Sequence, residues 1–191
     1  IKEIIEKFTV SIDLDKEKKD PNTPCHRSVM AAADERIITH ISNFRGVKRI
    51  PDVVKIFYKI QKEIPAKLMM VGDGPEKEKA EELCFELGIQ DKVIFFGNSN
   101  EIDKILCLTD LFLLPSQTES FGLVALEAMA CSVPVISSNS GGLPEVNFDG
   151  FSGFLSDVGN VDEMAKNALT ILKDDDVLNK FKRNALSIAE K

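Results

Sequence analysis

Short apolar runs alternate with longer amphipathic segments from residue 36 onward, and this alternation constrains the fold more than any other feature of the sequence. The short runs predict strands at 37–42, 67–71, 93–96, 111–114 and 133–137, with a further edge strand at 153–155. The longer segments predict helices at 51–63, 76–87, 101–108, 121–130, 162–172 and 177–190. Strands separated by helices pair in parallel through right-handed crossovers. The sequence therefore predicts an α/β fold, a Rossmann-like open parallel sheet with helices on both faces.

The first 33 residues lack this alternation. A charged run from Asp13 to Asp20 is followed by Pro21 and Pro24, a composition typical of irregular chain. We therefore expect residues 1–33 to be an irregular lead-in or interdomain segment and residues 34–191 to form one domain. Because the chain begins at Ile1 and its first residues lack the apolar core of a signal peptide, we also expect it to be a fragment.

Composition excludes several classes of protein. With 43% hydrophobic and 29% charged residues the chain is typical of a soluble globular protein, and its apolar runs are too short to cross a bilayer, so no membrane span is expected. The net charge of −7, with basic residues scattered among acidic ones, argues against nucleic acid as a partner. The sequence leaves the oligomeric state unknown.

The four cysteines are far apart and form no Cys-x-x-Cys pair, and only two histidines could supplement them as metal ligands. We therefore expect no metal and no cofactor. Cys84, Cys107 and Cys131 lie in apolar helical contexts, which favours buried thiols in a reducing compartment, and hence the cytoplasm. His40 lies inside the first predicted strand, where a satisfied core or rim residue is expected rather than a base.

The loop after the fourth strand carries the strongest signal for a ligand site. In an open parallel sheet, ligands bind outside the carboxyl ends of the strands. Here Glu119 and Glu127 bracket a predicted helix start, and between them the backbone amides from Phe121 to Val124 lack intrahelical partners. With the positive end of the helix dipole, such amides suit an anion such as a diphosphate, and Gly122 would let it approach the backbone.

The stretch from Glu119 to Glu127 resembles the Glu-x7-Glu signature of retaining family-4 glycosyltransferases of the GT-B fold, within Pro-Ser-x-x-Glu-Ser-Phe-Gly-Leu-Val. Further similarity follows in the same order, at Val71-Gly72-Asp73-Gly74-Pro75, at Ala130-Cys131-x-x-Pro134-Val135-Ile136 and at Gly141-Gly142-Leu143-Pro144-Glu145. The resemblance implies that the chain is the carboxy-terminal half of a GT-B fold and that residues 34–191 bind a nucleotide sugar. It also implies that an amino-terminal acceptor domain of the same protein is missing here.

The resemblance assigns roles to individual residues. Glu119 would contact hydroxyls of the donor hexose, Glu127 would bond the ribose, and the amides at Gly122 to Val124 would hold the phosphates. The family's diphosphate-binding Gly-Arg-x4-Lys is replaced here by Ser42-Asn43 and a retained Lys48, so Arg45 or Arg49 is a candidate for the missing guanidinium. We expect Glu119 and Lys48 to act in catalysis and the following residues to bind the donor: Asn43, Arg45, Lys48, Phe96 through its backbone, Glu119, Phe121, Gly122, Leu123, Val124 and Glu127.

The segment from Ser42 to Val54 resembles a narrower subgroup, which transfers N-acetylglucosamine from its uridine diphosphate donor to L-malate in bacillithiol synthesis. Two alternatives stay open: a family-4 transferase with another donor or acceptor, such as one of cell-surface polysaccharide synthesis, and a nucleotide-binding module without catalysis. A generic cofactor-binding Rossmann domain is disfavoured because no Gly-x-Gly-x-x-Gly follows the first strand.

Overall fold

The computed structural model describes residues 27–190 and confirms the predicted fold class. Six parallel strands form one sheet in the order β3-β2-β1-β4-β5-β6. The strands are β1 (Arg36–Ile41), β2 (Ala66–Val71), β3 (Val93–Gly97), β4 (Leu111–Leu114), β5 (Val135–Ser138) and β6 (Gly153–Ser156).

Eight helices connect or flank these strands within the described residues. They are α1 (Arg27–Met30), α2 (Ile50–Gln61), α3 (Lys77–Glu86), α4 (Ile102–Cys107), α5 (Leu123–Ala130), α6 (Leu143–Val146), α7 (Val161–Leu172) and α8 (Asp175–Ala189). Two short 3-10 turns cover Gly46–Lys48 and Gln90–Lys92.

The sheet separates two hydrophobic clusters because successive side chains on a strand point to opposite faces. Ile38 on β1 packs in one cluster with α2, α3, α7 and the first half of α8, whereas its neighbour Ile37 packs in the other with α4, α5 and the second half of α8. Met69 and Met70 on β2 divide in the same way. Helices therefore cover both faces of the sheet, as the alternation predicts.

Asp110 ties the sheet to two flanking helices. Its buried carboxylate accepts hydrogen bonds from Arg27 at 2.7 Å, from Lys182 at 3.0 Å and from the Ile37 amide at 3.0 Å. Burial alone would raise the pKa of Asp110, but Lys182, the Ile37 amide and Arg27 together hold it below its usual value. The carboxylate therefore stabilises the sheet on the side where β1 begins.

The strand order reverses between β1 and β4, whose carboxyl ends lie side by side near the centre of the sheet. In doubly wound sheets the crevice above this reversal is where ligands bind. The loops that leave β1 and β4 here are residues 42–49 and 115–122. These are the two loops in which the sequence places most of the predicted site.

Three expectations from the sequence need correction. The helix predicted at 121–130 begins at Leu123, because Gly122 adopts a left-handed φ of 65° and ends the preceding loop. Cys107 is exposed rather than buried, because α4 buries its neighbours Ile105 and Leu106 instead. Residues 27–30, which fall in the segment predicted to be irregular, form α1; residues 1–26, with the Asp13 to Asp20 run, lie outside the described residues.

Candidate functional site

A cavity of about 420 Å³ opens above the reversal of strand order. Its wall comes from three sources: the end of β1 with its loop, the loop after β4, and the first two turns of α5. The lining residues are Ile41, Ser42, Asn43, Lys48, Glu119, Ser120, Phe121, Gly122, Leu123, Val124 and Glu127.

An ion pair joins the two loops across this cavity. Lys48 Nζ donates a hydrogen bond to Glu119 Oε2 at 2.6 Å, and both side chains are largely shielded from solvent, with exposures of 18% and 16%. Lys48 reaches the cavity because the 3-10 turn Gly46–Lys48 folds the chain back at the end of the β1 loop. The residues predicted to act in catalysis are thus in direct contact.

Backbone contacts fix the loop that carries Glu119. The Gln117 amide donates to the Val47 carbonyl at 2.8 Å, and the Gly142 amide donates to the Glu119 carbonyl at 2.8 Å. A Cβ on Gly141, whose φ is +59°, would lie 2.0 Å from that same carbonyl oxygen. The turn at Gly141 and Gly142 therefore supports the Glu119 backbone directly.

The start of α5 supplies amides to the cavity. The first helical bonds run from the amides of Ala125 and Leu126 to the Gly122 carbonyl, so the amides of Leu123 and Val124 precede the helical ladder. No side chain of a described residue caps them. Together with the helix dipole, these amides give one wall of the cavity a positive partial charge.

Gly122 is favoured by tight packing against α6 as well as by its backbone conformation. A Cβ there would lie 3.0 Å from a methyl group of Val146 and 3.1 Å from Leu143. The sequence prediction gave ligand approach as the reason for this glycine. The structure adds that α6, which the sequence prediction missed, closes the space beside it.

Glu127 lies one helical turn into α5, half-buried, on the same wall as Leu123 and Val124. The cavity therefore presents a lysine, two carboxylates and a helix amino terminus to one ligand. A phosphate group suits the cation and the amides, and sugar hydroxyls suit the carboxylates, which accept hydrogen bonds when ionised.

Eight of the ten predicted donor-binding residues line the cavity, and Arg45 and Phe96 are not among its lining residues. Arg45 is exposed at the start of the 3-10 turn, and Phe96 lies on edge strand β3, half-buried against the second hydrophobic cluster. Arg49, the other candidate guanidinium, pairs instead with Asp52 at 2.5 Å and packs beside Gly159. A ligand contact for Arg45 or Phe96 stays a prediction.

Ile41, Ser42 and Ser120 also line the cavity, although they were not predicted as site residues. Ser42 ends the first predicted strand, so its position at the carboxyl edge of the sheet was a usable signal. Ser120 stands between two predicted site residues. Neither has a residue type that indicates a ligand by itself.

His40 is fully buried beneath the cavity, as expected for a satisfied core residue. Its ring bonds the Leu113 carbonyl through Nδ1 and the Ser42 hydroxyl through Nε2, each at 2.8 Å. Burial, opposed by the Leu113 hydrogen bond and assisted by nearby Lys48, lowers the pKa of His40 to about 4. The ring is therefore neutral near pH 7.

Other features of the described residues do not compete with this site. Within residues 27–190 no group of three or more His, Cys, Asp or Glu side chains could hold a metal ion. No helix among those same residues combines the length and apolar character needed to cross a membrane. An open groove of about 610 Å³ lies between α2 and α7, away from the carboxyl ends of β1 and β4.

Comparison with known sequences identifies relatives of this chain. The family described as "Glycosyl transferases group 1" matches residues 25–187. The N-acetyl-alpha-D-glucosaminyl L-malate synthase of Bacillus anthracis is 49% identical over 143 residues, which are 75% of this chain and 38% of that protein. A D-inositol 3-phosphate glycosyltransferase of Mycobacterium marinum is 33% identical over 140 residues, covering 69% of this chain and 29% of that protein. The chain thus spans well under half the length of these curated relatives.

Solved structures show the same architecture. The HepE protein of Anabaena, in complex with UDP and glucose, superposes with a TM-score of 0.77 and 26% identity over 83% of this chain and 44% of that one. A glycosyltransferase from Rickettsia africae superposes with a TM-score of 0.80 over 97% of this chain and 50% of that one; at 23% identity this likeness shows the fold alone. The described domain has the fold of one half of such proteins.

Proposed function

Because this chain belongs to the glycosyl transferases group 1 family, we propose that it is the donor-binding half of a retaining glycosyltransferase. The proposed reaction moves N-acetylglucosamine from UDP-N-acetylglucosamine to L-malate, a step of bacillithiol synthesis. Identity of 49% to a protein named for the N-acetylglucosaminyl malate product supports this choice of donor and acceptor.

The observation that carries the proposal is the contact between Lys48 and Glu119 beside the amino terminus of α5. A cation, a carboxylate and unpaired helix amides in one cavity match the two parts of a nucleotide sugar at its reacting end. The diphosphate needs positive charge and donors, whereas the hexose needs acceptors. Binding of a nucleotide alone would not require a carboxylate at the position of Glu119.

We assign chemical roles on this basis. Lys48 and the amides of Leu123 and Val124 stabilise negative charge that develops on the departing diphosphate, an electrostatic effect of the kind that is usually the largest single contribution to catalysis. Glu119 accepts hydrogen bonds from hexose hydroxyls and keeps Lys48 in place while the cavity is empty. Glu127, deeper along α5, bonds the ribose. The proposal includes no protein nucleophile, no metal and no cofactor.

The acceptor side of the reaction belongs to a part of the protein beyond this chain's span, since the chain matches 38% of the malate synthase relative. Phe121 and Leu123, which are 74% and 46% exposed at the cavity, are suited to contact that partner domain. Among residues 27–190 the cysteines Cys84, Cys107 and Cys131 form no disulfide, which favours a reducing compartment, and we propose that the protein acts in the cytoplasm.

Calorimetric titration with UDP-N-acetylglucosamine, UDP-glucose and GDP-mannose tests the donor assignment. We expect UDP-N-acetylglucosamine to bind best to the wild-type chain and Glu127→Ala to weaken all uridine donors. Glu82→Ala, on the exposed side of α3, is the matched control and should change nothing. Equal affinity of the wild type and Glu127→Ala for every donor would overturn the ribose assignment.

A second test concerns transfer itself. Mass spectrometry of a mixture of this chain, UDP-N-acetylglucosamine and L-malate should detect no glycosylated malate, because the acceptor side is supplied by the partner domain. Product formed by the chain alone would contradict the division into halves. Preferential binding of a different donor would favour a family member with another specificity, as the similarity to the inositol phosphate transferase allows.

A further inference from the structure

We propose that His40 and Ser42 are positioning residues that hold the β1 loop in the shape that presents Lys48 to the donor diphosphate. The inference rests on the proposed function, because it concerns the same cavity. In this proposal neither side chain brings charge to the donor or takes part in the transfer reaction. Their effect on the ligand is exerted through the loop from Ser42 to Lys48.

The hydrogen bonds of His40 fix the direction of each proton. The Leu113 carbonyl can only accept, so His40 Nδ1 carries the hydrogen that it donates across 2.8 Å. In the neutral ring Nε2 must then accept, and the Ser42 hydroxyl donates to it, also across 2.8 Å. A lone pair on the Ser42 oxygen remains to accept the Phe44 amide at 3.3 Å. Each hydrogen bond in this series therefore has a defined donor and a defined acceptor.

These hydrogen bonds meet at residues 42–44, where the backbone is strained. Phe44 has a φ of 34°, which is unusual for a bulky residue, and its side chain is completely buried. Its carbonyl accepts the Glu76 amide at 2.9 Å, while the backbone of residues 42–44 packs closely against Gly72 and Gly74. A Cβ at Gly72 would lie 1.8 Å from the Ser42 carbonyl oxygen. The hydrogen bond from the Phe44 amide to the Ser42 hydroxyl is thus one of a few that offset the backbone strain at Phe44.

Hydrogen bonds also connect the two sides of the cavity, one formed by β1 and its loop and the other by β4 and its loop. His40 lies on β1 and bonds the Leu113 carbonyl on β4, so it bridges the two strands whose loops carry Lys48 and Glu119. Farther along, the Val47 carbonyl accepts the Gln117 amide at 2.8 Å, and Lys48 bonds Glu119 at 2.6 Å. The β1 loop is therefore held beside strand β4 where it begins and is attached to the β4 loop where it ends.

The sequence shows why this arrangement is a feature of this chain. Where the family pattern has Gly-Arg, this chain has Ser42-Asn43, and a glycine has no hydroxyl to offer His40. Ser42→Ala removes that hydroxyl, leaves His40 Nε2 buried without a donor and frees the Phe44 amide. Ser42→Thr keeps the hydroxyl and should restore the bonds.

Binding of UDP and of uridine to the same variants separates positioning from general damage. Ser42→Ala should weaken UDP about tenfold and leave uridine unchanged, because Lys48 acts on the diphosphate and not on the base. Ser42→Thr should bind UDP like the wild type. Ser187→Ala, on α8 and away from the cavity, is the control for loss of a serine hydroxyl.

A double-mutant cycle shows whether the effect passes through Lys48. Ser42→Ala should cost about tenfold in the wild-type background and nothing further in Lys48→Met. Equal losses in both backgrounds would mean that Ser42 contacts the ligand itself, and equal UDP affinity of Ser42→Ala and the wild type would also overturn the proposal. Failure of the wild type to bind UDP would instead refute the proposed function on which it rests.

Discussion

Protonation of His40 should make the free energy of unfolding fall as the pH is lowered from neutral to about 4. Its pKa is about 4 in the folded chain and 6.5 as an unperturbed group. Between these values the unfolded chain binds a proton that the folded chain does not, so stability is lost as the pH falls. Above pH 6.5 both states are neutral at this site and the contribution is complete.

The two pKa values set the size of the effect. They differ by about 2.5, and each unit corresponds to about 1.4 kcal/mol, so the loss approaches about 3 kcal/mol at pH 4 and then levels off. Asp110, whose pKa is lowered from 3.8, contributes to a separate loss at still lower pH. Between pH 6.5 and 4, the difference in stability between the wild type and a variant without His40 therefore reports on His40.

Urea unfolding of the wild type and His40→Gln at pH 7, 6, 5 and 4 measures this contribution. The variant should be less stable than the wild type at pH 7, and the difference should shrink by about 3 kcal/mol toward pH 4. Titration of other groups, including the second histidine, cancels in the difference. Parallel stability curves for the two proteins would refute the conclusion that burial keeps His40 neutral.

Three further predictions concern single residues. Asp110→Asn should lower the free energy of unfolding by about 3 kcal/mol, measured in urea at pH 7, because it leaves two partly shielded cations without their carboxylate. Gly141→Ala should weaken UDP-N-acetylglucosamine more than UDP by calorimetry, because the new Cβ displaces the Glu119 backbone; Gly88→Ala, also at positive φ but in open space, should spare both ligands. Cys84 should resist iodoacetamide at pH 8 in the folded chain and react in urea, by peptide mass mapping, because burial raises its pKa to about 11. Rapid alkylation of folded Cys84 or an unchanged stability of Asp110→Asn would each contradict the packing described here.

The strands could be predicted because each is a short apolar run bounded by turn residues, and all six lie within two residues of the expected limits. Glu119, Glu127 and Lys48 could be placed together because the carboxyl ends of parallel strands share one edge of the sheet. The start of α5 was less accessible, since the local sequence indicates neither the positive φ of Gly122 nor its closeness to α6, a short helix that has no clear periodicity.

The hydrogen bonds around His40 could not be predicted from the sequence, because they too depend on contacts between distant segments. They depend on the pairing of β1 with β4, two strands far apart in the sequence, and on the unusual backbone of Phe44. Arg45 shows another limit of sequence reasoning, because closeness in sequence to Lys48 suggested a shared role that stays a prediction. The intervening 3-10 turn brings Lys48 to the cavity and leaves Arg45 exposed outside its lining.

The central claim is that the cavity above β1 and β4 binds the diphosphate of a nucleotide sugar. Calorimetric titration of UDP and uridine into the wild type, Lys48→Met and the exposed control Lys55→Met tests it most directly. Loss of a charge-assisted contact should weaken UDP by about 10- to 100-fold in Lys48→Met, with uridine unaffected and Lys55→Met indistinguishable from the wild type. Equal UDP affinity in all three proteins would contradict the account.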